Sequence, residues 1–396
     1  MKFIYRLLLI FVFIFCLVLV IGYARGYQID FEKKVLSSTG ILAVTSTPKA
    51  AKIYVNGELK GVTDSNLTLS PGQYTVEIKK DGYTNWAKKL TLKGELVLSL
   101  DALLFPLNPS LSPLTNLGVK KAISLNQTDR ILLFTDTGDE TKDGIYLFEG
   151  GKRPFLPLSP MKRIVLKKNL TVFTDFTSVD VYLSPDLKEV IIESPKEKTA
   201  YLLSLEEENT NVFDITTSKD ALLVAWKSEK EKEYLKILET FPKEIAKVAS
   251  DSFHIIAFSP NETRLLYSPE KPVVLPSVIT PPLIASNQTP DVRKLQKDHL
   301  YVYDKKEDRN FEISLLPTTN YQLSTIQWYS DSKHLILNEN NKISVVDYDG
   351  TNKQTIYSGP FDNSFFNATG DGGLIVLLNL NPEANKFPDL YAVGIK

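Results

Sequence analysis

The stretch Ser184 to Leu203, SPDLKEVIIESPKEKTAYLL, contains the pattern that decides the fold of most of this 396-residue chain. It opens with a Ser-Pro-Asp turn, in which proline presets the first turn position and aspartate closes the turn through its own side chain. The apolar run Val190–Ile192 follows, and an unbroken run is typical of a strand covered on both faces. A second β run, Ala200–Leu203, contains a tyrosine. The stretch therefore predicts a turn followed by two antiparallel strands.

This turn–strand–strand phrase recurs from about residue 111 to the end of the chain, in six copies. The turns are Asn126–Asp129, Ser184–Lys188, Thr217–Asp220, Ser259–Thr263, Ser330–Lys333 and Thr369–Gly373. The apolar runs are Ile131–Phe134, Val190–Ile192, Leu222–Ala225, Leu265–Tyr267, Leu335–Leu337 and Leu374–Leu378. The second β runs are Ile145–Phe148, Ala200–Leu203, Tyr234–Leu238, Leu300–Tyr303, Ile343–Val346 and Leu390–Val393. Sheet-forming units at this period predict propeller blades. Residues 161–179 have room for a degenerate seventh copy, so six and seven blades are both open.

The ends of the repeat region predict how the propeller closes. The last copy ends at 390–396 with no outer strand after it, and we expect a strand at about 111–119 to complete that blade. Closure of this kind removes exposed sheet edges, which would otherwise promote aggregation. The Ser-Pro-Asp/Asn turns resemble the WD40-like repeats of the TolB-type propeller family over most of 111–396. The usual glycine after the aspartate occurs only at Asp371-Gly372.

A smaller β unit precedes the repeats, at about residues 40–100. Asn56-Gly57 is the dipeptide that most easily adopts the positive φ of a tight hairpin, and Asp81-Gly82 marks a further turn. Between these turns Tyr74, Val76 and Ile78 alternate with polar residues, as in a strand with one buried face. Short strands with tight turns predict a small antiparallel sandwich.

This unit resembles the PEGA domain family. The resemblance rests on Gly40–Val44, Ser46–Pro48, Ala51–Gly57, Gly61–Thr63, Leu69–Val76, Gly82-Tyr83 and Trp86. The family's Pro-Glu-Gly-Ala tract here reads Pro48-Lys49-Ala50-Ala51, so its middle has changed. The resemblance implies a surface β-sandwich, often found in membrane-anchored or exported proteins, and it implies no enzymatic activity.

The N-terminus predicts a membrane anchor. Every residue from Leu7 to Ile21 is apolar, and with Gly22–Ala24 the run approaches the roughly 20 residues that a helix needs to cross the hydrocarbon core. Lys2 and Arg6 favour a cytoplasmic N-terminus. We therefore expect a cytoplasmic segment 1–6, a transmembrane signal anchor 7–24, a juxtamembrane stalk 25–39, the sandwich, a linker 101–110 and an exported propeller 111–396. A cleaved signal peptide ending near Gly22–Ala24 is the alternative.

Composition argues against several functional classes. A net charge of −1 gives no indication of the basic surface that nucleic acid requires, and one cysteine, Cys16, allows no disulfide within the chain. The three histidines share no ligand-like spacing, and no nucleophile elbow or phosphate-binding loop occurs. We predict no catalytic, cofactor-binding or metal-binding residues, and no cofactor. The acidic loop Asp136–Asp143 does not match the known calcium-loop spacing, so a solvated turn is expected, with cation binding left open.

A proline-rich insertion, PEKPVVLPSVITPPLIASNQTP at 269–290, interrupts the fourth copy. Proline at this density favours an extended loop that cannot pair in a sheet. Its apolar residues predict an interaction loop, either for a partner or for this protein's own surface. They are Val273, Val274, Leu275, Val278, Ile279, Leu283 and Ile284.

These features together favour a non-enzymatic, membrane-anchored extracytoplasmic protein of the cell envelope that binds a protein or an envelope polymer. An enzyme, for example a glycan-active one with carboxylates in the central opening of the propeller, is the alternative. A purely structural propeller is a third.

Overall fold

The computed structural model describes residues 2–24, 27–30, 35–125, 128–150, 161–170, 172–176, 178–313, 325–339, 341–362, 365–383 and 386–395. The chain divides into two compact units. One comprises Met1–Leu107 with Pro281–Thr289, and the other comprises Asn108–Thr280 with Pro290–Lys396. Strands dominate both units, which confirms the predicted all-β class of a sandwich and a propeller preceded by an apolar helix.

The first unit begins with helix α1, Lys2–Ala24. Its segment Ile4–Gly22 has a mean hydropathy of 3.0 and no buried residue, so it is long and apolar enough to span a membrane. Strands β1 (Tyr27–Asp30) and β2 (Val35–Ser38) then pair as an antiparallel ribbon, where the sequence predicts a stalk.

The sandwich consists of two facing sheets. Its strands are β3 (Gly40–Thr47), β4 (Lys52–Val55), β5 (Glu58–Val62), β6 (Ser65–Leu69), β7 (Gly72–Lys79), β8 (Trp86–Leu92) and β9 (Val97–Leu103). The sheets have the orders β6-β3-β9 and β5-β4-β7-β8, and β3 and β9 run parallel. Residues from both sheets, such as Leu42, Ile53 and Val76, share one core. Asn56 and Gly57 both adopt positive φ, as their hairpin requires.

The described residues of the second unit form five four-stranded antiparallel sheets, which we name A to E in chain order. Sheet A consists of β11 (Val119–Ser124), β12 (Arg130–Thr135), β13 (Gly144–Glu149) and β14 (Met161–Leu166). Sheet B consists of β15 (Asp180–Leu183), β16 (Glu189–Ser194), β17 (Thr199–Ser204) and β18 (Phe213–Asp214). Sheet C consists of β19 (Phe253–Phe258), β20 (Arg264–Pro269), β23 (Tyr301–Asp304) and β24 (Arg309–Glu312). Sheet D consists of β25 (Ile326–Trp328), β26 (His334–Asn338), β27 (Ile343–Asp347) and β28 (Gln354–Tyr357). Sheet E consists of β29 (Phe366–Ala368), β30 (Leu374–Leu378), β31 (Asp389–Gly394) and β10 (Ser110–Pro113).

A strand that precedes the first copy completes sheet E, but it spans 110–113 rather than the predicted 111–119. Strand β10, which precedes sheet A, pairs with the last strand β31, with Ser110 opposite Gly394. Sheets E and A also share a core, in which Ile131 and Leu133 pack with Ile375 and Leu377. The two ends of the repeat region are therefore joined to one another.

The prediction that the third copy, at 217–238, forms strands is wrong, because residues 219–238 are helical. Helix α2 spans Lys219–Leu238 and helix α3 spans Lys243–Ser252. The segment 227–233, KSEKEKE, has no turn-forming glycine, proline or asparagine, and its lysines and glutamates have high helix propensity. The prediction of six or seven blades is not confirmed, since the described residues of the second unit form five four-stranded sheets. Residues 161–166 of the proposed seventh copy are the outer strand of sheet A.

Neighbouring sheets are joined by a recurring hydrogen bond. In sheets B, D and E the turn before the second strand contains a residue with positive φ: Leu187 (56°), Ser332 (63°) and Gly372 (85°). The carbonyl oxygen of each accepts a hydrogen bond from the preceding sheet. The donors are Arg130 Nη1 to Leu187 at 2.9 Å, Arg264 Nη1 to Ser332 at 2.8 Å and the Tyr329 hydroxyl to Gly372 at 2.7 Å. We call this contact the turn latch.

Arg264 makes the most extensive turn latch. Its guanidinium also lies 3.9 Å from the ring centroid of Tyr348, and its Nη2 lies 2.7 Å from the fully buried Oδ2 of Asp304. Arg130 is more exposed, and its second partner, Glu149, is 3.7 Å away. Arg264 therefore combines a latch with a buried ion pair, whereas Arg130 combines a latch with a surface pair.

We predict that Arg264→Ala lowers the free energy of unfolding of the second unit by about 3 kcal/mol, because it leaves the Asp304 carboxylate buried without its cation. The matched variant Arg130→Ala is expected to cost about 1 kcal/mol, the typical value of one hydrogen bond. Urea unfolding of the full-length protein in detergent, followed by tryptophan fluorescence, measures both. If both variants lowered the free energy of unfolding equally, the buried ion pair would contribute nothing beyond the turn latch.

Candidate functional site

The junction between sheets B and C differs from the other junctions because helices lie in it. Trp226 of α2 packs with Ile191 and Ala200 of sheet B. Ile245 and Ala249 of α3 share a core with sheet C. The helical pair thus covers the two sheet faces that would otherwise pack against a blade. Only Trp226 and Leu238 of the twenty residues of α2 are buried, so this helix covers its side of the junction thinly.

A cleft of about 610 Å³, the BC cleft, lies in this junction. One wall is Val181–Pro185, which includes the turn of sheet B. The opposite wall is Ile256–Pro260 with Glu262, which includes the turn of sheet C. Helix α2 forms the third wall with Leu223, Trp226, Lys227, Lys230, Glu233, Tyr234 and Ile237. The two Ser-Pro turns therefore face a shared cavity.

A second cavity of about 680 Å³ lies along another face of α2 and the start of sheet C. It is lined by Leu235, Leu238, Phe253, Ile255 and His254, among others, and it shares Lys227, Lys230, Tyr234 and Ile256 with the BC cleft. Helix α2 is thus a wall of two cavities, and moving it would change both.

The BC cleft combines aromatic surface with a few charged groups. Tyr234 and Phe258 meet edge to face with ring centroids 5.7 Å apart. Burial raises the pKa of Tyr182, and nearby carboxylates add to the effect, so its hydroxyl stays protonated at neutral pH. Lys227 Nζ lies 4.0 Å from Glu231, and Lys230 Nζ lies 5.6 Å above the ring of Tyr234. A pocket that combines aromatic and aliphatic walls with placed polar groups is suited to binding a ligand.

Two carboxylates of the predicted acidic loop are engaged by neighbouring groups of the protein, Asp143 within the loop and Asp136 outside it. The Asp143 side chain accepts hydrogen bonds from the backbone amides of Thr137 and Gly138, both at 2.7 Å. Asp136 forms ion pairs with Lys120 at 3.4 Å and Lys167 at 2.7 Å. Within the described residues, no group of three or more His, Cys, Asp or Glu side chains is arranged to hold a metal ion.

The three histidines lie apart. His254 lines the second cavity, and His299 Nδ1 lies 2.7 Å from Glu312. His334, at the start of β26, is buried between two carboxylates: its Nδ1 lies 2.6 Å from Asp331 and its Nε2 lies 3.2 Å from Asp347. Burial by itself would lower the pKa of His334, but the hydrogen bonds and charges of Asp331 and Asp347 outweigh it and raise the pKa to about 9.

We predict that titration of His334 lowers the free energy of unfolding at alkaline pH. Because the pKa in the folded state exceeds that of the unfolded chain, the contribution is complete below about pH 6.5 and is lost as pH rises through about 9. This rise in the pKa of His334 corresponds to a contribution of about 3 kcal/mol to the free energy of unfolding. Unfolding of the full-length protein between pH 6 and 10 tests this, with His334→Gln expected to flatten the profile and the exposed His254→Gln expected to leave it unchanged. An identical profile for His334→Gln would refute the assignment.

The proline-rich insertion is divided between the two units. In the second unit, Val273 and Val274 form β21, which pairs with β22 (Lys294–Leu295), and Leu275 is buried. Val274 is 65% exposed. The predicted interaction residues are therefore not equivalent, because Leu275 is part of the core of its own unit and Val274 faces solvent.

Asp308 fixes the base of the insertion. Its Oδ2 accepts hydrogen bonds from the backbone amides of Val278 at 2.6 Å and Ile279 at 2.8 Å. Its Oδ1 accepts the Tyr303 hydroxyl at 2.9 Å and lies 3.1 Å from Arg293 Nη1. The segment up to Ile279 is therefore ordered by one buried carboxylate rather than by strand pairing alone.

The tip of the insertion, Pro281–Thr289, belongs to the first unit. There the Gln288 side-chain amide accepts a hydrogen bond from the Thr91 backbone amide at 2.6 Å and donates one to the Thr91 carbonyl at 2.9 Å. A side-chain amide thus provides the hydrogen bonds that a neighbouring strand would give to the edge strand β8. Leu283 and Ile284 are 44% and 76% exposed beside it.

Residues 39–108 match the PEGA domain model, which confirms the resemblance inferred from the sequence of the sandwich. No curated protein matches the chain at a significant level. Similar solved structures include a protein described as TolB from Agrobacterium tumefaciens (13% identity, 65% of this chain and 69% of that chain, TM-score 0.22). They also include an auxiliary nutrient binding protein from Bacteroides ovatus (7% identity, 91% and 98%, TM-score 0.27). A third is a structural genomics protein of unknown function from Bacteroides thetaiotaomicron (11% identity, 88% and 91%, TM-score 0.27).

The BC cleft was not predicted from the sequence, because its α2 wall was interpreted as strands. The Lys/Glu run 227–233 was the available signal, since it lacks a turn residue where the repeat requires one. Where a repeat lacks its turn residue, the series of four-stranded sheets is interrupted.

Proposed function

We propose that this protein is a membrane-anchored, extracytoplasmic binding protein, in which the propeller unit holds a partner in the BC cleft. In this proposal α1 is an uncleaved anchor with its N-terminus in the cytoplasm, as Lys2 and Arg6 favour. The sandwich acts as a spacer module. The activity is non-enzymatic and requires no cofactor.

The observation that carries the proposal is the BC cleft itself. Its volume of about 610 Å³ lies within the range of roughly 300–1,000 Å³ typical of ligand pockets. It forms where a helical pair replaces the direct contact of two sheets. Aromatic side chains from three elements, Tyr182, Trp226 and Phe258, line one cavity together with charged groups of α2.

The innermost strands favour binding over glycan cleavage. The first strands of neighbouring sheets lie close together, as Gln327 of β25 shows by donating to the Phe366 carbonyl of β29 at 3.1 Å. Glycoside hydrolysis needs two carboxylates on opposite sides of the scissile bond. The five first strands β11, β15, β19, β25 and β29 contain a single carboxylate, Asp180.

The exposed part of the insertion is a second surface in this proposal. Ile284, in the tip of the insertion, is among the most exposed large apolar residues outside α1. Exposed apolar residues in a short proline-rich segment suit contact with an extended polypeptide or with an envelope polymer.

We predict that a photo-crosslinking residue at Glu233, in the cleft, captures the partner in membranes that contain the full-length protein. The same residue at Leu380, which is exposed but far from the cleft in sequence, serves as the control. Leu223→Trp, which fills the cleft, is expected to reduce capture at position 233 at least about fivefold, because it removes the space that the ligand occupies.

Two outcomes would contradict the proposal. One is capture at 233 that Leu223→Trp leaves unchanged. The other is turnover of an envelope glycan by the purified full-length protein, since a binding protein would leave the glycan intact.

A further inference from the structure

The turn of sheet C has an acceptor that lacks the usual donor residue in the preceding sheet. Glu262 adopts positive φ (55°) at the position that Leu187, Ser332 and Gly372 occupy in their turns. Its carbonyl is therefore the counterpart of the three carbonyls that accept a turn latch. Glu262 lines the BC cleft.

In sheet B, the residue at the position of the arginine donors cannot donate the hydrogen bond of a turn latch. Arg130 and Arg264 are the first residues of the second strands of sheets A and C, and each donates to the next sheet. The first residue of the second strand of sheet B is Glu189. A carboxylate at neutral pH accepts hydrogen bonds and donates none, so Glu189 cannot make this contact.

We propose that the BC cleft binds an arginine side chain of a partner protein, which supplies the turn latch that this junction lacks. This inference rests on the proposed binding function and names the chemistry of the partner. The internal template is Arg264, whose guanidinium contacts a turn carbonyl, a carboxylate and an aromatic face at once: Ser332, Asp304 and Tyr348.

The BC cleft offers the same three kinds of group. The Glu262 turn provides the carbonyl, the Glu262 side chain provides a carboxylate, and Tyr182 and Phe258 provide aromatic faces. A guanidinium has five donors in a planar fork and stacks on aromatic rings, so one arginine can engage all three kinds. A lysine ammonium is a compact, strongly hydrated charge and fits such a site less well.

Two lysines in the cleft have contacts of their own. Lys227 lies near Glu231, and Lys230 lies over Tyr234. Both lysines lie on the thinly packed helix α2. The incoming side chain would therefore contact the other wall, which the Glu262 turn and Phe258 form. The cleft volume accommodates an arginine together with parts of its neighbouring residues.

Isothermal titration of the full-length protein in nanodiscs with the peptide acetyl-Gly-Ser-Arg-Ser-Gly-amide tests the assignment. The peptides with citrulline or lysine in place of arginine are the comparison. Citrulline keeps the shape of arginine without its charge, so we expect it to bind at least about tenfold more weakly. Glu262→Gln is expected to weaken binding of the arginine peptide about three- to tenfold. Glu229→Gln, on helix α2 but outside both cavities, is expected to have no effect.

Arginine and citrulline peptides of equal affinity would overturn the assignment, and so would arginine binding that Glu262→Gln does not weaken. These failures differ from a failure of the binding function. If the crosslinker at position 233 still captures a partner in a manner sensitive to Leu223→Trp, the cleft binds a ligand of other chemistry. If that capture also fails, the binding function itself is wrong.

Discussion

The hydrogen bond from one sheet to the left-handed turn residue of the next is the contact on which the second unit depends. Burying two sheet faces against each other supplies most of the free energy of packing, and the twist of the sheets sets only an approximate angle between them. A directed bond to a carbonyl at a fixed place in the turn does fix it. Leu187, Ser332 and Gly372 each provide that carbonyl, and three different donors reach them. Sheets E and A are joined instead by the Gly370 amide, which donates to Asp129 at 2.6 Å.

The BC junction lacks this bond. Sheet B presents Glu189 where sheets A and C present arginine, and the chain between sheets B and C forms α2 and α3. Trp226 covers sheet B, and Ile245 with Ala249 covers sheet C. Helices cannot reproduce the flat face of a blade, so cavities remain on two faces of α2. The binding function proposed for this protein is thus a consequence of one interrupted repeat.

The sequence predicts those parts of the fold that local residues specify. Asn56-Gly57 and the Ser184 and Ser259 turns form as expected, because each needs only its own backbone conformation and a nearby side chain. Counting strands predicts that a strand before the first copy pairs with the last strand, although the strand is 110–113 rather than 111–119. The sequence does not predict the helices at 219–252, because Leu222–Ala225 and Tyr234–Leu238 fit a strand pattern as well as a helical one. The Lys/Glu run between them is the feature that favours a helix. The cleft could not be predicted, since it depends on contacts between residues up to about eighty positions apart.

The central claim is that α2 is a helix that covers sheet B thinly instead of a blade packed between two sheets. Hydrogen exchange of the full-length protein in detergent, read by mass spectrometry, tests it most directly. Amides of 219–238 should exchange at least about a hundredfold faster than those of β16 and β20, because few buried contacts oppose local opening of the helix. Exchange over 219–238 as slow as in β16 and β20 would contradict the account, since it would mean that this segment is packed as tightly as a blade.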